Sequence, residues 1–463
     1  MRGKILFRLH RRPFYWREKT DLLPTEIQPH VQVHLPALAG RAYHCQCGNT
    51  IFFRNSKCLT CQTPLGYEPS QSLMLSLMPA EQADTWVEWQ EPNQEPNQET
   101  SPALVSPQEI QTQSQTQGLQ QSQTQGFQQS QSQDQQAVLD ELVPAPVPSP
   151  VFVRCANLKT GASCNWLLPL HESEAGVFLC RACRLNRNLL DLNDPDRLDN
   201  GKLYGLTELA KRRLVSALIV LGLPVASKVS EDTERGLMFD LLRSPIEGPR
   251  VMTGHNNGLI TLDLQEADDS LREAVRHAMH EPYRTLLGHF RHEVGHYYWD
   301  RLVWDTDWME GFHELFGDET QDYAASLKRN YEEGPPAQWW LHFVSAYAST
   351  HPWEDWAECW AHYLHMRDTI DTAMSFGLTA DNAELEFTPF TLDDLYRPQH
   401  PQAQIFLDFL NDWTRLTTML TEMSRSMGQP DFYPFTLPRE VIAKLHFIHI
   451  LVSSLQAAKK NHI

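Results

Sequence analysis

The chain has 463 residues, too many for one average domain and enough for two or three units with sizeable cores. Its 39 basic and 58 acidic residues leave a formal charge of −19, which argues against nucleic acid or an anionic membrane as the main partner. Nine cysteines, with no apolar leader in MRGKILFRLHRRPFYWREKTD, point to metal ligation or free thiols in a cytoplasmic protein, and ALIVLGL at 217–223 is too short to cross a bilayer.

Residues 1–90 form an N-terminal region with a first cysteine group, Cys45, Cys47, Cys58 and Cys61, in HCQCGNTIFFRNSKCLTCQ. A C-x-C-G followed by C-x-x-C resembles a zinc ribbon, here over about 40–70, in which two hairpin knuckles present four thiolates to one Zn(II). The short C-x-C spacing leaves open whether His44, two residues before Gln46 and three before Cys47, replaces Cys45. Residues 91–150 are dominated by Gln, Ser, Thr, Pro and Glu, and SQTQGLQQ is repeated as SQTQGFQQ. Such a segment buries too little apolar surface to offset chain entropy, so it is expected to be a disordered insert. Residues 151–200 carry the second group, Cys155, Cys164, Cys180 and Cys183, a second candidate structural zinc module with a wider C-x8-C spacing. A redox dithiol is the alternative for either group. Four thiolates leave no open position for water, so neither group is expected to be catalytic. Cys359 has no partner in sequence and fits a small core position.

From 201 the pattern becomes that of an α+β unit running to about 375, with a helical extension over 376–463. LTELAKRRLVSALIVLGL has helical spacing and stops at Gly222 and Pro224. GLMFDLL, RVMTG and GLITLDL predict three short strands, the last two joined at Asn257-Gly258. Helices are expected over 281 to about 303, near 319–331, over PPAQWWLHFVSAYAS and over PWEDWAECWAHYLHM, where Pro352 suits a first turn. FLDFLNDWTRLTTML and VIAKLHFIHILVSSL add two more.

Inside the 281–303 helix, His292, Glu293 and His296 make an H-E-x-x-H. Residues four apart share a helix face, so both histidines could reach one ion. Leu287, Phe290, Val294 and Tyr298 form an apolar stripe roughly opposite, while Thr285, Gly288 and His289 lie on the histidine face and leave room there. Gly295 costs about 1 kcal/mol against Ala in mid-helix, which implies a close approach. A third ligand is needed. In HPWEDWAECWAHYLH, Glu354 and Glu358 share a face beside Ala357 and Ala361, and two carboxylates turned into an aromatic-rich helix pair want a cation or a histidine N–H. His365 and Asp300 are weaker candidates.

This pattern resembles the gluzincin metallopeptidases, and that resemblance implies a zincin-like fold, Glu354 as third zinc ligand and Glu358 holding a ligand histidine, the reverse assignment being the rival. The N-terminal ribbon, LCRACRLN, TGHNNGLITLDLQEADD, EPYRTLLGHFRHEVGHYYWD, FGDE, DYAASLKRNY, SAYASTHPWEDWAECWAHYLH and SRSMGQPDFYPF together resemble a bacterial family of zinc-binding metallopeptidases, over nearly the whole chain apart from the insert.

Two imidazoles and one carboxylate would leave a fourth position for water, so the expectation is one catalytic and two structural zinc ions. Glu293, adjacent to a ligand, is the natural general base, and Tyr347, His351 or His289 could donate to the oxyanion, with Tyr347 preferred. GLITLDL is a candidate edge for an extended peptide. The expected partners are a protein or peptide substrate, with protein contacts through the ribbon modules, no membrane and no nucleic acid. Two rivals remain: a non-enzymatic zinc-ribbon adaptor or nucleic-acid-associated regulator with a vestigial site, favoured by basic runs such as RLHRRPFYWREK, CRACRLNRN and AKRR, and a zinc hydrolase of non-peptide amides.

Overall fold

In the computed structural model, which describes residues 35, 37–91, 149–188, 190–279, 281–380, 383 and 385–460, the two cysteine-bearing segments are joined in one sheet. The insert assigned to 91–150 lies almost wholly outside the described residues. A small hairpin, β1 (Tyr43–His44) and β2 (Thr50–Ile51), precedes an antiparallel meander of five strands. These are β3 (Leu65–Glu68), β4 (Leu73–Pro79), β5 (Thr85–Glu88), β6 (Phe152–Arg154) and β7 (Leu167–Pro169), in that spatial order. Strands β5 and β6 pair directly although the insert separates them in sequence, and Gln90 Nε2 donates to Ser149 Oγ across the same junction at 3.2 Å. The meander curls back on itself: Tyr67 N–H donates to Asn165 O at 2.9 Å. A Cβ on Gly66 would lie 2.5 Å from the Leu167 side chain, so any larger residue would have to displace it where these edges meet.

After a short helix, α1 (Leu170–Glu174), a four-stranded sheet has the order β10-β11-β9-β8, from β8 (Asn186–Asn188), β9 (Met238–Leu242), β10 (Gly254–Asn256) and β11 (Leu259–Asp263). β9 runs parallel to both β8 and β11, whereas β10 and β11 form a hairpin. Asn257 and Gly258 both adopt left-handed backbone (φ 44° and 77°), as a two-residue primed turn requires. The strand before that turn is Gly254–Asn256 rather than RVMTG. Because β11 sits between β10 and β9, GLITLDL is not an edge. The expectation of a peptide pairing there is overturned, and the exposed flank on that side belongs to β10.

The helices are α2 (Asn200–Val220), α3 (Asp269–Ala278), α4 (Leu286–Leu302), α5 (Met309–Phe316), α6 (Tyr323–Glu333), α7 (Pro352–Ser375), α8 (Ala403–Ser426) and α9 (Arg439–Lys460). Helix α4 starts only at Leu286, because Thr285 is its N-cap and accepts the Gly288 N–H at 3.0 Å. Helix α3 was not foreseen; Asp268 caps it through the N–H groups of Ser270 and Leu271. PPAQWWLHFVSAYAS does not form the expected helix. Pro335-Pro336 lacks two donors, Gln338 is left-handed (φ 60°), and only two tight turns form, Trp339–Leu341 and Tyr347–Thr350.

One continuous core runs from the ribbon segment through all the long helices. A buried ionic hub ties them together. Asp368 of α7 accepts from Arg41, just before β1 (3.1 Å), from Arg213 of α2 (2.7 Å) and from Arg291 of α4 (2.7 Å). Among the described residues, no helix is long and apolar enough to cross a membrane.

Candidate metal centre

Helices α4 and α7 pack closely, and one position sets their spacing. A Cβ on Gly295 would come within 2.9 Å of the Ala357 Cα, so the two backbones touch there. Gly295 therefore serves helix packing, and its carbonyl accepts from Trp356 Nε1 at 2.8 Å. The apolar stripe faces inward as its period demands, with Phe290, Val294 and Tyr298 fully buried. Thr285 and Gly288 do not leave open space as expected. The place of a Gly288 Cβ is hemmed in by Thr285 Oγ1 (3.0 Å) and Tyr283 (3.4 Å).

Across the α4–α7 seam, ligand atoms of His292, His296 and Glu354 lie within 4.8 Å of one another. Glu354 Oε2 is 3.0 Å from His292 Nε2 and 3.7 Å from His296 Nε2, and the two Nε2 atoms are 3.2 Å apart. Glu358, one turn further along α7, accepts from His292 Nδ1 at 2.8 Å, and its other oxygen accepts from Ser345 Oγ at 2.6 Å. With Nδ1 committed, Nε2 is the nitrogen that offers its lone pair to the centre. Glu354 also divides its oxygens: Oε1 accepts from Tyr323 OH at 2.6 Å, while Oε2 is buried without a hydrogen bond.

The electrostatics favour positive charge at this point. Burial opposes ionisation of His292, yet the Glu354 and Glu358 carboxylates push its imidazole well above the ordinary histidine value. Burial likewise opposes the charge on Glu354, but the two imidazoles hold it well below the usual carboxylate range. Two imidazole nitrogens and an unsatisfied carboxylate oxygen, facing one another and largely removed from water, fit a divalent ion such as zinc.

Glu293 is buried between the two histidines on α4, and its charge helps raise the Tyr323 and Tyr347 phenols, after burial and Glu354. The Tyr347 ring centre lies 5.9 Å from that of His292. The other candidates are engaged elsewhere. His289 faces Glu266 (3.2 Å), His351 caps α7 through the Trp353 N–H (3.1 Å), and His365 Nδ1 accepts from Arg291 (2.5 Å). Asp300 lies 3.9 Å from His255 Nε2, outside the ligand trio. Three neighbours escaped sequence reasoning: Tyr323, Ser345, and His255, which stacks on His296 at 6.3 Å. All three lie within runs that carry the family resemblance, DYAASLKRNY, SAYASTHPWEDWAECWAHYLH and TGHNNG, and that was the available signal.

The eight clustered cysteines are all free and form two tetrads, Cys45, Cys47, Cys58 and Cys61, and Cys155, Cys164, Cys180 and Cys183. Cys45 belongs to the first, with Cys45 Sγ 3.5 Å from Cys61 Sγ, and His44 is exposed. The second is entirely buried, with Cys164 and Cys180 Sγ 3.6 Å apart. Arg212 of α2 is buried beside it, and Cys164, Glu208, Cys183 and Cys180 together outweigh the lowering effect of burial on its guanidinium. Cys359 is buried and donates to Asp355 Oδ1 at 3.6 Å.

A family profile described as "Putative zinc-binding metallo-peptidase" matches residues 200–451, and a zinc-ribbon domain profile matches 42–103 and 111–194. Uncharacterized proteins of Mycobacterium bovis and of two Mycobacterium tuberculosis strains are each 44% identical over 305 residues, 65% of this chain and 82% of the relative. No solved structure matches the chain.

Proposed function

The chain belongs to this zinc-binding metallo-peptidase family, and we propose that it is a zinc-dependent peptidase using His292, His296 and Glu354 as ligands and Glu293 as general base. The buried Glu354 Oε2, with no hydrogen bond and two imidazole nitrogens beside it, carries the proposal. When bound, zinc supplies Lewis acidity and brings the pKa of water toward about 7. Glu293 takes a proton from the attacking water and returns it to the leaving amine nitrogen. The Tyr347 phenol, held protonated by burial and by Glu354, donates a hydrogen bond to the developing oxyanion. Glu358, fixed by Ser345, orients His292. The β10 flank beside His255 and His296 suits an extended peptide adding by main-chain hydrogen bonds.

The two cysteine tetrads hold structural zinc in this reading, and the ribbon region offers protein contacts rather than nucleic-acid contacts, consistent with the net charge of −19. The protein acts in the cytoplasm on protein or peptide substrates. Metal analysis and a peptide-library digest test the proposal together. Wild type should carry three zincs, Glu354→Ala and His292→Ala two, and Glu293→Gln three with no cleavage. Two zincs in wild type, or cleavage that survives Glu293→Gln, would refute it.

A further inference from the structure

The Tyr323–Glu354 contact assigns a task that the ligand trio alone does not explain. Tyr323 is the first residue of α6, and its hydroxyl donates to Glu354 Oε1 at 2.6 Å. That bond splits a buried carboxylate into one oxygen fixed by a phenol and one, Oε2, facing both imidazoles.

The segment is held in register with α7 by independent contacts. His351, the N-cap of α7, donates from Nε2 to Gln321 O at 3.2 Å, and the Tyr323 ring packs edge-on against His351 with centres 5.2 Å apart. Asp322 caps α6 by accepting the Ala325 N–H at 3.0 Å. Helix α6 itself contributes little to the core, since Ser326 is its one buried residue. Its first hydroxyl is therefore aimed at the metal centre by the cap of the helix that carries Glu354.

Resting on the ligand reading above, we infer that Tyr323 is a positioning residue that confines Glu354 to coordination through Oε2 alone. A carboxylate that swings to bidentate binding takes a second position on the ion, and a four-coordinate site with two imidazoles has none to spare for water. By occupying Oε1, the phenol keeps the carboxylate monodentate.

Cobalt substitution tests this in the full-length chain. Dipicolinate strips the nitrogen and oxygen centre while the thiolate tetrads keep zinc, and Co(II) is then added back. Four-coordinate Co(II) gives visible bands several-fold more intense than five- or six-coordinate Co(II) does. Tyr323→Phe should lower that intensity several-fold and weaken Co(II) binding about tenfold. Its circular dichroism should match wild type, because the ring contacts remain. Tyr331→Phe, on the same helix, should leave the spectrum unchanged. A Tyr323→Phe spectrum superimposable on wild type overturns the assignment and leaves the metal reading intact. Failure of the wild type to take up Co(II) at a third site overturns both.

Discussion

Replacing Gly295 by Ala tests whether the α4–α7 spacing sets the metal centre. The added Cβ would sit 2.9 Å from Ala357 Cα and 3.3 Å from both its Cβ and its carbonyl oxygen. Carbon atoms in contact prefer about 3.5–4.0 Å, so the helices must part by roughly 0.6–1 Å at this point. Overpacking of this kind costs about 1–3 kcal/mol. The gain in helix propensity from Gly to Ala returns about 1 kcal/mol, so the net destabilisation is only about 0–2 kcal/mol. The geometric effect is larger relative to its tolerance. Two of the proposed ligands ride on α4 and the third on α7, while ligand distances at such sites hold to about 0.2 Å. The expected result is a zinc affinity lowered at least about tenfold, equal to about 1.4 kcal/mol, with a melting point of the metal-free protein only a few degrees lower. A competitive titration against a chromophoric chelator reads the affinity, and differential scanning calorimetry reads the melting point. Wild-type affinity within a factor of about two would show that the spacing is not set at Gly295 and refute the reasoning.

Asp368→Asn removes the carboxylate that pairs with Arg41, Arg213 and Arg291, two of which are almost wholly buried. Leaving them unneutralised should cost about 3–5 kcal/mol, seen as a loss of several degrees or more in thermal unfolding; a loss under about 3 °C would count against the hub. His449 of α9 is buried, and burial together with Arg367, His446 and His400 pushes its imidazole down to about 3. The folded state thus keeps it neutral while the unfolded chain takes up a proton near pH 6.5, so stability falls as pH drops from about 6.5 toward 3. Near pH 5.5 this group contributes a loss of about 1.4 kcal/mol. His449→Gln should flatten that part of the urea-midpoint profile, and an unchanged slope would contradict the assignment. Finally, Cys47 and Cys61 are exposed whereas the second tetrad is entirely buried. An organomercurial should release zinc in two phases, with the first missing in Cys47→Ser; a single phase in wild type would show that burial does not protect the second tetrad.

Much of this architecture was visible as period and punctuation. The helical i, i+4 spacing of Phe290, Val294 and Tyr298 places α4 and its inward face, Asn257-Gly258 places the β10–β11 turn, and Pro352 marks the start of α7. The family resemblance covered the remaining distance, because α7, which carries Glu354 and Glu358, is remote in sequence from the histidines it meets. What sequence could not supply were contacts made by elements with no pattern of their own. Tyr323 reaches Glu354 from a mostly exposed helix, Ser345 reaches Glu358 from an irregular segment, and His255 meets His296 from a three-residue strand. The role of Gly295 was half legible: a close approach was implied, but Ala357 as the approaching group required the fold. The failed helix over PPAQWWLHFVSAYAS shows the converse, an apolar composition overruled by two prolines and a left-handed Gln338.

The pairing of β5 with β6 has a practical corollary. The chain leaves and re-enters the sheet at nearly one point, with Gln90 and Ser149 in hydrogen-bonding contact. For such a closed excursion, each doubling of length costs only about 0.6 kcal/mol of closure entropy. The junction is therefore a natural splice point, where a fluorescent reporter or an affinity handle could be grafted without disturbing the strand register on either side.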